Sequence, residues 1–211
     1  MHTEILSDKQ QELLPFIEQF KRSFYLVGGT AIALYLGHRR SIDYDLFTFS
    51  PLNKSKIKQR IMHTPFKKNI IFEDVDQIHF NINDVKLTFF NYPYQVAHLQ
   101  KFGKVISLPS LLSLAAMKAF ALGRRAKWKD YVDLYFIIKE FYTLTEIADE
   151  ANKIYGTLFS EKLFREQLAF HKDINYSEEV EYMIPNPPTE KEVKEELISI
   201  ATDIFGSGNF G

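Results

Sequence analysis

Two aspartates and a pair of glycines lie close together in the stretch LVGGTAIALYLGHRRSIDYDLF. Gly28, Gly29 and Thr30 follow a short apolar run, and Asp43 and Asp45 lie within a pattern that alternates as a half-buried strand does. Adjacent glycines let backbone amides approach a ligand closely, and a helix that begins there points its positive end at an anion. The pattern indicates a phosphate-binding turn, although an ordinary tight turn is the alternative interpretation. No Walker P-loop or dinucleotide fingerprint is present.

The spacing of the two aspartates suits a divalent cation. Side chains two residues apart on a strand leave the same face, roughly 6.5 Å apart along the chain. Two carboxylates this close resist ionising together unless a cation lies between them, and oxygen ligands favour Mg²⁺ or Mn²⁺. Asp74 and Asp76 have the same spacing without a glycine turn, so a solvent-exposed acid pair is the alternative. The succession of strand, glycine turn, helix and acid pair favours a site for a nucleoside triphosphate and its metal.

A second group of candidate residues lies in MKAFALGRRAKWKDYVDLYFI. Lys118 stands on an otherwise apolar helix and can reach a phosphate, while Asp130, three residues before Asp133, can orient or deprotonate an attacking hydroxyl. Trp128 is predicted to be available for stacking on a base. Surface ion pairs are the alternative interpretation of this cluster. Four further cations are predicted to contact a nucleic-acid backbone: Arg124, Arg125, Lys127 and Lys129.

The remaining polar residues give weaker signals. Ser41 can hold the aspartate-bearing strand or contact the nucleotide, and His38 can bind phosphate or simply lie at a helix end. The six histidines show no metal-ligand spacing. Because the chain has no cysteine, disulfides, thiolate metal sites and a cysteine nucleophile are excluded.

The composition is that of a globular protein, with 211 residues, 45% hydrophobic and 25% charged, and a formal net charge of −1. This charge argues against a uniformly basic surface for nucleic acid, so only local groups of cations would contact a polyanion. The first residues lack the layout of a signal peptide, and no apolar run approaches the roughly 20 residues of a membrane helix. We therefore expect a cytoplasmic protein that does not interact with a membrane.

The elements that must position these residues divide into two parts. Residues 1–105 read as short helices and strands, with Asn83-Asp84 as a hairpin turn. Residues 106–211 read as helices, two of them opened by the capping boxes TLTE and TEKE, and GSGNFG reads as a frayed end. We predict an α+β protein, with a small α/β domain over residues 1–105 and an all-helical domain over residues 106–211.

The two motifs, in this order, resemble those of the AbiEii/AbiGii-type nucleotidyltransferases, which belong to the DNA polymerase β-like superfamily. That family includes toxins of phage-defence toxin–antitoxin systems. The resemblance covers most of residues 24–140. It implies a small mixed-sheet nucleotidyltransferase domain followed by a helical domain.

The resemblance also implies roles for particular residues. Gly28, Gly29 and Thr30 would contact the triphosphate, with Thr30 standing where the superfamily usually has serine. Asp43 and Asp45 would hold Mg²⁺. Lys118 would bind nucleotide phosphate, and Asp130 would be the essential acid of the helical motif.

Many members of the superfamily carry a third carboxylate on a neighbouring strand. This sequence has no such residue at the matching position. The matching strand is predicted to be VKLTFFNY, whose interior has no acid, and Thr88 lies near the expected position. Asp76 and Asp84 lie at or beyond turns. Either the second metal is held more loosely, or Asp130 acts as the base, or catalysis has been lost.

The resulting hypothesis is a Mg²⁺-dependent transfer of a nucleoside monophosphate from an NTP to an acceptor hydroxyl. The resemblance favours RNA, in particular the tRNA 3′ end, as the acceptor, and implies a cognate antitoxin protein as a partner. Protein and small-molecule acceptors are alternatives. A catalytically silent module that binds a nucleotide or a partner is a second hypothesis, and a structural domain with surface acids is a third.

Overall fold

The structure, a computed structural model, describes residues 1–203 and divides into two compact units, with the division between Leu114 and Ala115. The sequence placed the division between residues 105 and 106. Part of the difference comes from Ile106–Leu108, a strand that is hydrogen-bonded into the sheet of the first unit. The predicted frayed end GSGNFG lies outside the described residues.

The first unit is built on a seven-stranded mixed sheet with the order β3-β4-β5-β2-β1-β7-β6. Its central strand β2 runs parallel to β5 and antiparallel to β1. The strands are β1 (Tyr25–Val27), β2 (Tyr44–Thr48), β3 (Lys68–Asp74), β4 (Gln77–Ile82), β5 (Val85–Asn91), β6 (Gln100–Phe102) and β7 (Ile106–Leu108). The helices that lie wholly in this unit are α1 (Asp8–Ile17), α2 (Gly28–Leu36) and α3 (Lys54–Met62).

The second unit is helical. Its helices are α4 (Leu111–Leu122), which begins in the first unit, α5 (Trp128–Glu140), α6 (Leu144–Tyr155), α7 (Glu161–Ala169) and α8 (Glu190–Thr202). Residues 115–203 form no β-strand, and their β pairing is limited to isolated bridge residues, which include Lys127 and Asn175. The predicted α+β class, with a mixed sheet followed by helices, is therefore confirmed. None of the described helices has the length and apolar character required to span a bilayer.

Local sequence signals account for several element boundaries. Asn83 and Asp84 have φ values of 56° and 62°, which the hairpin turn between β4 and β5 requires, and the predicted turn is confirmed. The capping boxes predicted at Thr143 and Thr189 are both present. Strand β6 was not predicted, because it has only three residues and two of them are polar and exposed.

The core of the first unit is rich in phenylalanine. Phe89 on β5 lies 4.8 Å from Phe20, 5.2 Å from Phe24 and 6.1 Å from Phe80, measured between ring centroids. Phe80 and Phe89 point to one face of the sheet, while their strand neighbours His79 and Thr88 point to the other. The aromatic core therefore covers one face of β4 and β5, and Asp45, Thr88 and His79 lie on the opposite face.

Substituting Phe89→Ala is expected to lower the free energy of unfolding by about 3–5 kcal/mol, because Phe89 is fully buried and contacts three other rings. Urea unfolding followed by circular dichroism would measure the loss. Phe49→Ala is the control, since this ring is 52% exposed and its removal should change stability by no more than about 0.5 kcal/mol. Equal losses in the two variants would contradict this description of the core.

Candidate active site

The glycine turn lies directly against one of the two aspartates. β1 ends at Val27, which is paired with Asp45 on β2, and α2 begins at Gly28. Gly28 has a φ of 74°, and a Cβ atom at this position would overlap Oδ2 of Asp45. Glycine is therefore required here for both its backbone conformation and its lack of a side chain. The predicted phosphate-binding turn and metal-binding carboxylate are adjacent in the structure.

Gly29 approaches a second polar group. A Cβ atom at Gly29 would lie 2.7 Å from Nη2 of Arg39 and 3.0 Å from Oγ of Ser41. Arg39 is only 1% exposed, and its Nη1 donates a hydrogen bond to the Arg40 carbonyl at 3.0 Å. The turn thus lies between the Asp45 carboxylate and the Arg39 guanidinium group.

Buried hydrogen bonds hold the loop that leads to the aspartates. The Thr30 hydroxyl lies 3.0 Å from Oγ of Ser41 and also hydrogen-bonds to the Asp43 carbonyl. Nε2 of Gln10 donates to the Ser41 carbonyl at 2.9 Å. Thr30, Ser41 and Gln10 are all buried, so in this structure they position the acid-bearing segment. Contact of Thr30 and Ser41 with a nucleotide stays a prediction.

Gln10 is a site residue that the sequence did not reveal. Its side chain accepts from the backbone of Ser7 and thereby completes the capping box of α1. That capping role could be read from the sequence, whereas the second contact, with Ser41, joins residues 31 positions apart. Only the packing of α1 against the loop brings these two residues together.

The two aspartates alternate with buried residues, as predicted. Asp43 directly precedes β2 and Asp45 lies within it, and both are half-buried on either side of the fully buried Tyr44. The Tyr44 hydroxyl donates to the Gln10 carbonyl at 3.1 Å, and burial raises the pKa of this phenol. By contrast, Asp74 and Asp76 lie at an exposed turn. The structure therefore distinguishes the two acid pairs.

Two carboxylates suit Mg²⁺ better than a cation whose ligands must all come from the protein. Within residues 1–203, no three His, Asp or Glu side chains are grouped as metal ligands. Mg²⁺ is commonly held by one or two carboxylates, together with water and substrate phosphates. Asp43 and Asp45, with the glycine turn beside Asp45, fit this pattern.

Thr88 occupies the position at which a third carboxylate was sought. Asp45 is paired with Thr88 on β5, and Thr88 with His79 on β4, so the three side chains form a row on one sheet face. Thr88 is 6% exposed, and its hydroxyl has no hydrogen-bond partner within the described residues. An unsatisfied buried hydroxyl beside Asp45 is available to a ligand or a water molecule.

His79 is a second residue that the sequence did not reveal. Burial and then the charge of Lys86 lower the pKa of His79, while Asp45 acts in the opposite direction. The imidazole is therefore neutral at neutral pH, and its Nε2 lies 2.9 Å from Oε1 of Gln77. The sequence could not place His79 in this row, because the register across three strands is a property of the sheet.

An aromatic surface follows Asp45 on the same strand face. Phe47 lies 5.0 Å from Phe90 and 5.0 Å from Tyr92, measured between ring centroids. Phe47 and Phe90 are half-buried, so parts of both rings face solvent. Partly exposed aromatic rings can stack on a nucleobase.

The candidate residues of the helical unit form a buried ionic network. The Lys118 ammonium forms ion pairs with Asp130 and, at 3.0 Å, with Oδ2 of Asp133. Asp130 also accepts from Nε of Arg125 at 3.1 Å. Lys118, Asp130 and Asp133 are 7%, 1% and 0% exposed, and the exposed Arg125 supplies the second cation that balances the two carboxylates. Asp133 was noted beside Asp130 in sequence, but its ion pair with Lys118 required the structure.

The predicted nucleic-acid-binding cations have partners inside the helical unit. Lys127 and Lys129 both pair with Glu178, and Lys127, followed by Lys129, holds the pKa of Glu178 at about 2. The Arg124 guanidinium lies 3.6 Å from the centroid of the Phe120 ring and is exposed, as is Arg125. The two arginines therefore present more charge to solvent than the two lysines do.

The prediction that Trp128 is available for stacking is wrong. Trp128 is 7% exposed and packs against Tyr131 and Tyr176. It begins α5, whose buried face carries apolar residues and the two aspartates. An indole at this position therefore contributes to the core of the helical unit.

Comparison with known proteins agrees with this architecture. The fold matches that of MenT4, nucleotidyltransferase toxin Rv2826c from Mycobacterium tuberculosis H37Rv, with a TM-score of 0.59 and 14% identity over 92% of this chain and 82% of that one. JHP933 from Helicobacter pylori gives a TM-score of 0.54 and 16% identity over 93% and 91% of the two chains. The protein thus has the nucleotidyltransferase fold, and the fold relationship predicted from the sequence is confirmed.

The sequence comparison identifies a family. The chain is 31% identical over 142 residues to uncharacterized protein aq_aa25 of Aquifex aeolicus strain VF5, covering 64% of this chain and 68% of that protein. It belongs to the same family as this Aquifex protein. No protein-family model matches the chain, and assignment to the AbiEii/AbiGii type stays a prediction.

Substituting Lys118→Met is expected to lower the free energy of unfolding by about 3–5 kcal/mol, because it leaves two buried carboxylates without their shared cation. Trp128 is the sole tryptophan and lies in the helical unit, so its fluorescence during urea unfolding reports this loss. Lys153→Met is the matched control, since Lys153 is 74% exposed in its pair with Glu150 and should contribute less than about 1 kcal/mol. A loss at Lys118 no larger than that of the control would contradict the network.

Proposed function

We propose that this protein is a metal-dependent nucleotidyltransferase that moves a nucleoside monophosphate from an NTP to an acceptor hydroxyl. The observation that carries the proposal is the approach of the Gly28 backbone to the Asp45 carboxylate, with Asp43 two residues away. This arrangement brings amide donors for a triphosphate next to carboxylates for its cation. The fold shared with the nucleotidyltransferase toxin MenT4 supports the same activity.

In this proposal, the residues of the first unit bind and orient the donor nucleotide. Asp43 and Asp45 would hold Mg²⁺, which when bound offsets charge on the reacting phosphate. Amides of the Gly28-Gly29 turn and the Arg39 guanidinium would face the triphosphate oxygens. Phe47 and Phe90 would contact the base by stacking, a mode that tolerates different bases.

The roles of Lys118 and Asp130 are proposed from the resemblance. Lys118 would bind nucleotide phosphate, and Asp130 would act as the essential acid of the helical motif. Their ion pairs with Asp133 and Arg125 give both side chains a fixed orientation within the helical unit. A fixed orientation is what a positioned catalytic group requires.

RNA is the proposed acceptor, in particular the 3′ end of tRNA, and Arg124 and Arg125 would be its main contacts. The lysines at 127 and 129 are already paired with Glu178 and would contribute less. We further propose that the protein is a phage-defence toxin of the AbiEii/AbiGii type with a cognate antitoxin, in line with the toxin MenT4. Transfer to a protein or a small molecule is the alternative for the acceptor.

A catalytically silent module that binds a nucleotide or a partner is the second candidate function. The observation in its favour is Thr88, which stands beside Asp45 where a third carboxylate was sought. Such a module would bind NTP and Mg²⁺ without transferring a nucleotide.

Incubation with each of the four α-³²P-labelled NTPs, total RNA and Mg²⁺ is expected to label RNA with a preferred nucleotide. The Asp43→Asn/Asp45→Asn variant should lose this label, because it removes both carboxylate ligands while preserving side-chain size. Asp74→Asn/Asp76→Asn is the matched control, with the same charge change at an exposed turn, and should label RNA as the wild type does.

The outcomes of this experiment separate the hypotheses. Retention of label in the Asp43→Asn/Asp45→Asn variant would reject the proposed site. An unlabelled RNA pool, together with Mg²⁺-dependent NTP binding in calorimetry that the same variant abolishes, would favour the silent module or another acceptor. Absence of both labelling and NTP binding would favour a structural domain with surface acids.

Thr88→Asp tests the row of side chains beside Asp45. In EDTA this variant should be roughly 2–3 kcal/mol less stable than Thr88→Asn, because two carboxylates about 5 Å apart repel each other. Mg²⁺ should recover part of that difference by binding between them, whereas Thr88→Asn should respond to Mg²⁺ no more than the wild type does. Urea unfolding with and without Mg²⁺ measures both effects, and an unchanged difference in Mg²⁺ would contradict a metal site at this position.

A further inference from the structure

A cavity of about 470 Å³ lies in the first unit, at the end of β1 and β2 that is remote from the glycine turn. It is lined by residues at the start of β1, the end of β2 and the first turns of α3, including Tyr25, Thr48 and Lys56. Its volume is within the range of small-molecule sites, about 300–1,000 Å³. None of the candidate active-site residues lines it, so it is a separate feature of the unit.

The lysine and arginine side chains that line this cavity are not matched by any acidic side chain among the described lining residues. Four cations line it and no aspartate or glutamate does, although the whole chain carries a net charge of −1. Lys21 pairs with Glu18 at 2.6 Å, and Arg60 donates to the Gln19 carbonyl. The other two cations, Arg22 and Lys56, have no ion-pair partner within residues 1–203. They are therefore available to an anionic ligand.

One of the residues that line the cavity also carries a buried hydroxyl without a partner among the described residues. Tyr25 is 3% exposed, and its hydroxyl makes no hydrogen bond within the described residues. Its ring stacks on His98, another lining residue, with 4.3 Å between centroids. Burial raises the pKa of Tyr25, so the hydroxyl stays protonated and can donate a hydrogen bond to an acceptor. A buried tyrosine hydroxyl usually has a partner, and a bound ligand would provide one.

The first turn of α3 adds to the positive field. α3 is nine residues long and is capped by Asn53, whose side chain accepts from the Lys56 amide at 3.0 Å. Both residues line the cavity. The positive end of the helix therefore lies at the cavity together with the free cations.

We propose that this cavity is a second anion-binding site, which holds a phosphate group of a nucleotide through Arg22, Lys56 and the Tyr25 hydroxyl. Phe49, also in the lining and 52% exposed, provides a ring for the base beside that phosphate. The nucleotide is either free or part of an RNA chain, since the phosphate chemistry is shared. The proposal does not depend on nucleotidyl transfer at Asp43 and Asp45.

The test is calorimetric titration in EDTA of the Asp43→Asn/Asp45→Asn protein, in which the candidate metal ligands are removed. The probes are AMP, inorganic phosphate and a 5′-phosphorylated RNA decamer. Adding Arg22→Ala/Lys56→Ala should weaken binding at least about tenfold, and adding Tyr25→Phe should weaken it severalfold, since each removes a charged or neutral donor to the anion. Lys67→Ala/Lys101→Ala removes the same charge from exposed positions outside the cavity and should weaken binding less than about twofold.

Tighter binding of AMP than of the decamer would identify a free nucleotide as the ligand, and the reverse would identify RNA; either result supports the site. Failure of all three anions to bind at concentrations up to about 10 mM would overturn the proposal. So would equal weakening by the cavity and control substitutions, because it would indicate a diffuse electrostatic effect. These binding results are independent of the RNA-labelling assay, so failure of one proposal is distinguishable from failure of the other.

Discussion

The close approach of Gly28 to Asp45 is the constraint on which the candidate active site depends. The antiparallel pairing of Val27 with Asp45 brings the start of α2 to the carboxylate. A side chain at residue 28 would overlap Oδ2 of that carboxylate, and the backbone there has a positive φ. The register of two strands and the absence of one Cβ atom thus determine the distance between an amide-rich turn and the Asp45 carboxylate.

Buried polar groups keep this arrangement in place. Thr30, Ser41 and Gln10 connect α2, the loop before β2 and α1 through hydrogen bonds that are shielded from water. Such bonds are costly to leave unmade, so they restrict the loop to one conformation. These bonds therefore orient the segment that carries Asp43 and Asp45 without the help of a ligand.

Among the described residues, buried charged side chains are paired in the helical unit, whereas some of the cations in the cavity of the first unit are unpaired. In the helical unit, Lys118 is buried with Asp130 and Asp133, and its charge is neutralised where water cannot screen it. In the first unit, Arg22 and Lys56 have no ion-pair partner among the described residues, and they line the same cavity as Tyr25, whose hydroxyl is unsatisfied. The buried network restricts side-chain orientation, whereas the unpaired cations are suited to ligand binding.

Sequence alone determined the features that depend on neighbouring residues. The α+β class, the hairpin at Asn83-Asp84 and the capping boxes follow from local periodicity and backbone preference. The glycine turn and the Asp43/Asp45 pair were also evident, because both lie within one stretch of 22 residues that includes the intervening helix.

Only the tertiary structure decided which distant residues accompany them. Thr88 and His79 join Asp45 through strand register, Gln10 reaches Ser41 through helix packing, and Trp128 is buried although its sequence neighbours are charged. The cavity around Tyr25 likewise combines residues from 20 to 98. Register and packing arise from the sum of many contacts that are remote in sequence, and no local pattern encodes them.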